Sequence, residues 1–267
     1  MFDLDAYLAR IGLSGRPSLE QVHRAHVTSI HFESLDPLMG LPVSLDPDEV
    51  FEKLVPRGRG GYCFEQNLLL AGALRALGAE VELHLGRVLF AAEPGVIRPR
   101  SHLALEVWHE GRSLLADVGF GGGTLLEPLP WGPGVEHEQA GWRHRIVERG
   151  PEHVLQAFRE GRWQDLYAYL PHPVPAVELE PANWWTSAHP SSRFVTGFLV
   201  GRQWADGRRL VLSDWGELAL TEATADSVTV TPLSREQVPP LLAERFELPG
   251  FVLADDGRLT LASAVAR

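Results

Sequence analysis

The sequence has one cysteine, Cys63, among its 267 residues. A single cysteine cannot form a disulfide within the chain, so we expect a reducing, cytoplasmic location. The sequence also lacks a C-x-x-C pair and any two histidines spaced four apart, the patterns typical of zinc sites. We therefore predict no bound metal, and we interpret His23 and His26 as part of a polar helix face.

Positive charge is also scarce. The 24 Lys and Arg residues are outnumbered by 35 Asp and Glu residues, which gives a formal net charge of −11. No block of basic residues is present, which argues against nucleic acid and anionic membranes as partners. No apolar run approaches the roughly 20 residues that span a bilayer, and the acidic first residues lack a signal-peptide core.

The stretch Arg59–Asn67 reads RGGYCFEQN and precedes leucines at helical spacing that continue to Gly78. Two adjacent glycines indicate a tight turn, and we interpret them as residues chosen for positive φ. Cys63 would then lie in the first turn of a buried helix, where free N–H groups and the helix dipole favour a thiolate. A lone cysteine is also commonly a small buried apolar residue, so a nucleophile requires further support from the chain.

Residues 1–82 have helical patterns. Ser18 with Gln21 forms a capping-box pattern for a helix that continues to Ile30, and Asp46 followed by Pro47 opens a second helix. The segment between them, residues 31–37, is predicted to be a loop. Arg59 and Glu65 are predicted to form a buried ion pair that holds the turn before Cys63.

After Gly78 the apolar period changes to that of strands. Strands are predicted near residues 81–90, 102–108, 113–118, 143–147, 154–158 and 163–169, with a hairpin joining the second and third. These strands favour a small antiparallel barrel or sandwich that ends near residue 190. Beyond it we predict strands at 209–213, 217–221 and 227–231 and a helix opened by Ser234.

His102 and Asp117 lie on the two strands of the predicted hairpin, so a few residues of register can bring them together. A thiolate, an imidazole that holds its proton and a carboxylate that orients the imidazole are the three parts of a nucleophilic triad. We therefore predict that Cys63, His102 and Asp117 are catalytic.

Several motifs resemble those of the arylamine N-acetyltransferases, and the similarity extends over nearly the whole chain. Residues 59–67 resemble the signature R-G-G-x-C-x-E-x-N, residues 101–105 (SHLAL) resemble T/S-H-x-x-L, and residues 117–121 (DVGFG) resemble D-x-G-F-G. Residues 163–167 (WQDLY) and 183–194 (NWWTSAHPSSRF) match two later motifs, and His26, Phe32 and Glu33 match an N-terminal one.

The resemblance implies an α+β fold with a helical bundle at residues 1–82, a β-barrel domain at 83–190 and an α/β lid at 191–267. It implies a ping-pong reaction in which Cys63 takes an acetyl group from acetyl-coenzyme A (acetyl-CoA) and passes it to an arylamine or arylhydrazine. It also assigns binding roles. Ser101, Phe120 and Gly121 are expected at the oxyanion and substrate site, and Gly119, Trp185 and Ser191 at the coenzyme A (CoA) site. Acetyl-CoA is a substrate in this scheme, and no tightly bound cofactor is expected.

The chain departs from the family pattern at three positions. His31 replaces a proline and Ser34 an asparagine, both in the predicted loop, and Trp185 replaces a tyrosine where the family lines the CoA site. We expect the first two to affect packing and the third to affect acyl-donor affinity.

Two other functions remain open at this point. A transglutaminase or papain-type hydrolase presents Cys, His and Asp or Asn in the same chain order and differs in using water as acceptor. A non-catalytic protein that binds CoA or an aromatic ligand would have no need of a complete triad. The acceptor amine, the acyl chain length and the oligomeric state are not defined by the sequence.

Overall fold

A computed structural model describes residues 2–93 and 95–265 of the chain. Its helices, labelled in chain order, are α1 (Leu4–Arg10), α2 (Leu19–Ser29), α3 (Leu35–Leu38), α4 (Pro47–Leu54), α5 (Cys63–Ala76), α6 (Leu179–Ala188), α7 (Arg193–Thr196), α8 (Val238–Arg245) and α9 (Ala262–Val265). Among the described residues, no helix has the length and apolar character needed to span a bilayer.

The first nine strands lie between the end of α2 and residue 169. They are β1 (Phe32–Glu33), β2 (Glu80–Val88), β3 (Arg100–His109), β4 (Arg112–Ala116), β5 (Leu129–Pro130), β6 (His137–Gln139), β7 (Trp142–Arg149), β8 (Glu152–Arg159) and β9 (Arg162–Tyr169). The remaining strands are β10 (Leu199–Gln203), β11 (Arg209–Ser213), β12 (Ala219–Ala223), β13 (Val228–Pro232), β14 (Phe251–Leu253) and β15 (Leu259–Leu261).

An eight-stranded antiparallel sheet is the centre of the molecule. Its strand order is β5-β4-β3-β2-β9-β8-β7-β6, and it curls into a nearly closed barrel whose seam lies between the end strands β5 and β6. The predicted antiparallel barrel is confirmed, together with the β3–β4 hairpin. The short strands β5 and β6 were not predicted, because two or three residues are too few for a periodic signal.

The N-terminal helices follow their predicted caps. The Ser18 side chain accepts from the Gln21 N–H while the Gln21 side chain accepts from the Ser18 N–H, and the Asp46 side chain accepts from the first turn of α4. The prediction that residues 31–37 form a loop is wrong. Its residues form β1, which pairs with β10, and α3. A partner distant in sequence supplies the hydrogen bonds of β1, and local sequence does not reveal such a partner.

The C-terminal part contains a second sheet of order β1-β10-β11-β12-β13 beside α8. The helix after Ser234 and strand β11 are confirmed, while β12 begins two residues later than predicted. Strands β10, β14 and β15 and helix α6 were not predicted. The division into domains at 82/83 and 190/191 stays a prediction, and the pairing of β1 with β10 crosses both of those boundaries.

Helix α5 lies at the centre of the largest apolar core. It is buried along almost its whole length and contacts α4, β2 and β3. Its end follows the prediction, since Gly78 adopts φ +95° directly after the last turn. Because α5 is enclosed by helices on one side and by the barrel on the other, its first residue has a fixed position relative to β3.

The prediction that His23 and His26 form a polar helix face is wrong, because both side chains are fully buried. Tyr7 donates its hydroxyl proton to His26 Nδ1, and His26 Nε2 donates to the Gln66 side-chain oxygen. Gln66 in turn donates to the His31 carbonyl. His26 therefore holds α2 against α1 and α5 through internal hydrogen bonds.

A buried cluster of charges supports the turn that precedes α5. Arg59 bonds Glu33 at 2.6 Å and Asp36 at 2.8 Å, and Lys53 bonds Asp36 and Glu65, each at 2.6 Å. The predicted direct pair between Arg59 and Glu65 is wrong. The Arg59 side chain points to β1 and α3, and Lys53 of α4 is the cation that reaches Glu65.

We expect Lys53→Gln to reduce the free energy of unfolding by about 3 kcal/mol at pH 8, because the buried Glu65 carboxylate loses the cation paired with it and Asp36 keeps Arg59 but loses Lys53. Burial raises the pKa of Glu65 to about 7, and Lys53 opposes that rise. A raised carboxyl pKa means that the folded state binds a proton more readily than the unfolded state. The loss should therefore be smaller at pH 5, where Glu65 is protonated with or without Lys53.

Urea unfolding at pH 5 and pH 8 measures this difference. Arg57→Gln is the matched control, because it breaks the exposed pair between Arg57 and Glu52 and should change stability by less than about 1 kcal/mol. An equal loss at both pH values for Lys53→Gln would contradict the assigned role of Glu65.

Candidate active site

The turn before Cys63 is shaped by close approach of other groups. A Cβ on Gly60 would lie 2.1 Å from the His31 carbonyl oxygen, and one on Gly61 would lie 2.7 Å from Glu65 Oε2. The residue with positive φ in this turn is Gly58, at +65°. The predicted reason for the two glycines was therefore wrong, since they make room for backbone and side chain rather than adopt a left-handed conformation.

Tyr62 and Glu65 fix the first turn of α5. The Glu65 side chain accepts from the Tyr62 N–H at 3.1 Å, in the manner of the acidic half of a capping box. The fully buried Tyr62 ring donates its hydroxyl to the Asn183 side chain, which donates to the Val43 carbonyl at 2.8 Å. The residue before the cysteine is thus anchored to α6.

Cys63 is the first residue of α5, so its backbone N–H has no partner within the helix. Its side chain is buried, with 4% of the residue exposed, and its Sγ lies 3.6 Å from the carbonyl oxygen of Ser101. The helix dipole at this end stabilises negative charge on the sulfur.

Ser101 lies at an irregularity of strand β3. The pairing with β2 shifts register here, so that Gly86 faces His102, Arg87 faces Arg100 and Ser101 has no partner across the ladder. Bulged residues of this kind are common beside active sites because they turn a strand locally. The bulge directs Ser101 towards the sulfur and places His102 after it.

His102 and Asp117 are in direct contact. His102 Nε2 lies 2.7 Å from Asp117 Oδ2, and both residues are almost completely buried. Asp117 follows the last residue of β4, and the hairpin register brings it back beside β3 as the sequence predicts. With Nε2 bonded to the carboxylate, Nδ1 is the ring atom left for the sulfur.

The Asp117 carboxylate and its backbone are held by three further groups. Oδ1 accepts from Asn67 Nδ2 and from the Gly119 N–H, both at 2.9 Å. The Asp117 N–H donates to His23 Nε2 at 3.2 Å, and His23 Nδ1 donates to the Leu126 carbonyl. Asn67 lies one helical turn after Cys63, so the helix that carries Cys63 also orients the Asp117 carboxylate.

The charges of the pair follow from these contacts. Burial lowers the pKa of His102, but the Asp117 carboxylate and the Cys63 sulfur outweigh burial and raise it to about 10. Burial likewise works against ionisation of Asp117, and the His102 charge prevails and keeps the pKa of that carboxyl below its usual range. At neutral pH the pair is therefore an imidazolium and a carboxylate.

Two aromatic rings enclose the imidazole. The Tyr167 ring centroid is 4.5 Å from that of His102, and Phe120 lies edge-on at 5.2 Å. Phe120 therefore contacts the His102 ring, whereas the family resemblance had assigned it to the oxyanion and substrate site. Whether Phe120 also contacts substrate stays a prediction.

The glycines after Asp117 approach neighbouring elements closely. A Cβ on Gly119 would lie 2.6 Å from Cys63 Cα, and Gly121, at φ +69°, lies against Leu199 and Phe32. Gly119 thus allows the hairpin to reach the first turn of α5. Gly121 lies where this loop meets the second sheet.

Trp185 and Ser191 lie at the C-terminal end of α6 and in the segment after it. The Trp185 ring stacks on His189 with centroids 3.7 Å apart, and the Ser191 N–H donates to His189 Nδ1. They form a local cluster outside the triad, and their assignment to a CoA site stays a prediction.

Sequence reasoning missed the residues that support the triad. Asn67 was visible as the last position of the cysteine motif, and its spacing from Cys63 places both side chains on one face of α5. Asn183 was likewise visible as the first position of the motif at residues 183–194. His23 and Tyr62 gave no comparable signal, because their partners lie far away in the chain.

An N-acetyltransferase family matches residues 17–250. The arylamine N-acetyltransferase of Mycolicibacterium smegmatis is 42% identical over 215 residues, which cover 77% of this chain and 78% of that protein. The Escherichia coli arylamine N-acetyltransferase is 35% identical over 217 residues, covering 79% and 77%.

Solved structures of arylamine N-acetyltransferases have the same fold as this chain. The arylamine N-acetyltransferase of Salmonella typhimurium superposes with a TM-score of 0.86 at 31% identity, over 100% of this chain and 98% of that one. The Mycobacterium marinum enzyme in complex with CoA also gives 0.86, at 36% identity over 92% and 93%. With the family match, the relatives and the triad geometry in agreement, the chain belongs to the arylamine N-acetyltransferase family.

Proposed function

We propose that this protein transfers an acetyl group from acetyl-CoA to the nitrogen of an arylamine or arylhydrazine through a thioester on Cys63. The observation that carries the proposal is the buried contact between His102 and Asp117 beside the first residue of α5. Family membership supplies the substrate class, since the relatives are named for arylamine N-acetylation and one was solved with CoA.

In the first half-reaction, the Cys63 thiolate attacks the thioester carbonyl of acetyl-CoA. The tetrahedral intermediate collapses with loss of the CoA sulfur, which takes the proton carried by the His102 imidazolium. The acetyl group is then bonded to Cys63 and His102 is neutral. The raised pKa of His102 fits this order, because the proton is on the ring before the leaving group needs it.

In the second half-reaction, the amine nitrogen attacks the acetyl carbonyl on Cys63. Neutral His102 accepts the proton that the amine loses, and the thiolate and imidazolium are restored. Asp117 holds the ring so that Nδ1 faces the reaction in both halves, and it stabilises the positive ring. Each substrate reacts alone with the enzyme, so neither has to be aligned with the other.

For the oxyanion, our proposal assigns the backbone N–H groups of Cys63 and Ser101. The Cys63 N–H is unused by α5, and Ser101 stands outside the β2–β3 ladder, which supports this assignment. The Ser101 carbonyl oxygen lies 3.6 Å from the sulfur. We propose that Gly119, Phe120 and Gly121 contact the two substrates. Trp185 and Ser191 are proposed to contact CoA as well.

Mixing the protein with acetyl-CoA should add the mass of one acetyl group to the intact chain, and an arylamine should remove it. Mass spectrometry of the quenched protein measures both steps. Cys63→Ala should gain no acetyl group, because no other cysteine is present. Acetylation of Cys63→Ala, or loss of the acetyl group equally fast with and without amine, would contradict the proposal, and the second result would indicate a hydrolase.

Asp117→Asn should reduce the acetyl-transfer rate by at least about a thousandfold with the fold preserved. The asparagine oxygen can still accept from Asn67 and Gly119, while its amide would donate to His102 Nε2 and place the ring proton on Nδ1. That tautomer cannot accept a proton at Nδ1. Steady-state rates measure the change and circular dichroism checks the fold. Asp206→Asn, at an exposed loop, is the control. A rate within tenfold of the unmodified protein would remove Asp117 from the triad.

A further inference from the structure

Three acceptor groups converge at one point of the barrel away from the triad. Glu82 and His84 alternate along β2 on one face, and Glu106 is paired directly opposite Glu82 on β3. One ligand atom from each of the three residues lies within 4.8 Å of the other two. Like charges directly opposite on paired strands are destabilising, so this arrangement calls for a cation.

The hydrogen bonds of His84 leave one nitrogen free. His84 Nδ1 donates to the Leu170 carbonyl at 3.1 Å, which fixes the tautomer and leaves a lone pair on Nε2. The His84 side chain is fully buried, and Nε2 has no hydrogen-bond partner among the described residues. This lone pair faces Glu106 Oε2 at 3.4 Å, so two acceptors face each other with no proton donor between them.

Both buried ligands have the supporting contacts that metal ligands usually have. A metal-binding histidine commonly donates its second ring nitrogen to a carbonyl, as His84 does to Leu170. Ser113 donates its hydroxyl to Glu106 Oε1, which leaves Oε2 for the cluster. Trp131 covers the imidazole with a centroid distance of 4.5 Å, which limits water at the site.

The distance between the two buried ligand atoms matches zinc geometry. With bonds of about 2.0–2.1 Å to nitrogen and 2.0–2.2 Å to oxygen, two ligands of a tetrahedral Zn²⁺ lie roughly 3.4 Å apart. The separation of His84 Nε2 from Glu106 Oε2 is 3.4 Å. Glu82 is exposed and free to close the remaining gap, and water can take a fourth position.

We propose that Glu82, His84 and Glu106 form a Zn²⁺ site that ties β2 to β3. His102 precedes Glu106 by four residues on β3, a separation of roughly 13 Å, so the ion is separate from the triad. The prediction of no metal considered only cysteine pairs and helical histidines, and a site shared by two strands has no such spacing.

Calorimetric titration with zinc chloride, after dialysis against a chelator, tests the proposal. The measurement uses Cys63→Ala as background, because a thiolate beside an imidazole also binds zinc. We expect one ion per chain with micromolar or tighter affinity. Glu82→Gln, a change at an exposed residue, should weaken binding at least tenfold, and His84→Gln at least a hundredfold. X-ray absorption of the zinc complex should show an imidazole ligand that His84→Gln removes.

Glu80→Gln is the matched control. It removes the same charge two residues earlier on β2, on the same face but outside the cluster, and should leave the affinity unchanged. Circular dichroism verifies that each variant is folded, and Glu82→Gln provides the test if His84→Gln is not. Binding weaker than about 1 mM in the background protein would overturn the proposal. Unchanged binding in Glu82→Gln, or an equal loss in Glu80→Gln, would overturn it as well.

Discussion

The contact between His102 and Asp117 is the interaction on which the rest of the site depends. Removing both charges from water costs several kcal/mol per ion, and their mutual attraction repays this only with good geometry and further hydrogen bonds. Asn67 and the Gly119 N–H supply those bonds to Asp117, and His23 takes the Asp117 N–H. The pair is therefore stable only where a helix, a hairpin and the N-terminal helices meet.

Helix α5 makes this meeting point possible, because it carries both Cys63 and the Asn67 side chain that supports Asp117. Asn67 bonds Asp117 and the Leu103 carbonyl of β3, so a shift of the hairpin along the helix would break the support of Asp117 and move His102 from Cys63 at once. Gly119 allows the required approach, since a Cβ there would lie 2.6 Å from Cys63 Cα. Local packing thus fixes the distance between sulfur and imidazole.

The parts of this arrangement that the sequence predicted are those encoded by neighbouring residues. Ser18, Asp46 and Gly78 mark helix ends through local bonds, and alternating apolar residues mark the barrel strands. The triad could be predicted because the β3–β4 hairpin brings Asp117 back to His102 within a short length of chain. The pairing of β1 with β10, the burial of His23 and His26 and the bond from Tyr62 to Asn183 depend on distant partners. No hydrophobic period or helix-cap pattern predicts these contacts, so only the three-dimensional structure reveals them.

The charge cluster behind the catalytic turn also bears on the chemistry of Cys63. The cluster has three carboxylates, those of Glu33, Asp36 and Glu65, and two cations, Lys53 and Arg59. One negative charge is therefore in excess, and Glu65 lies only two residues after Cys63. A full negative charge there would oppose a thiolate. Burial raises the pKa of Glu65 to about 7, so protonation removes part of this excess near neutral pH. The His102 imidazolium then faces a smaller opposing charge at this turn, which keeps the pairs of Arg59 with Glu33 and of Lys53 with Asp36.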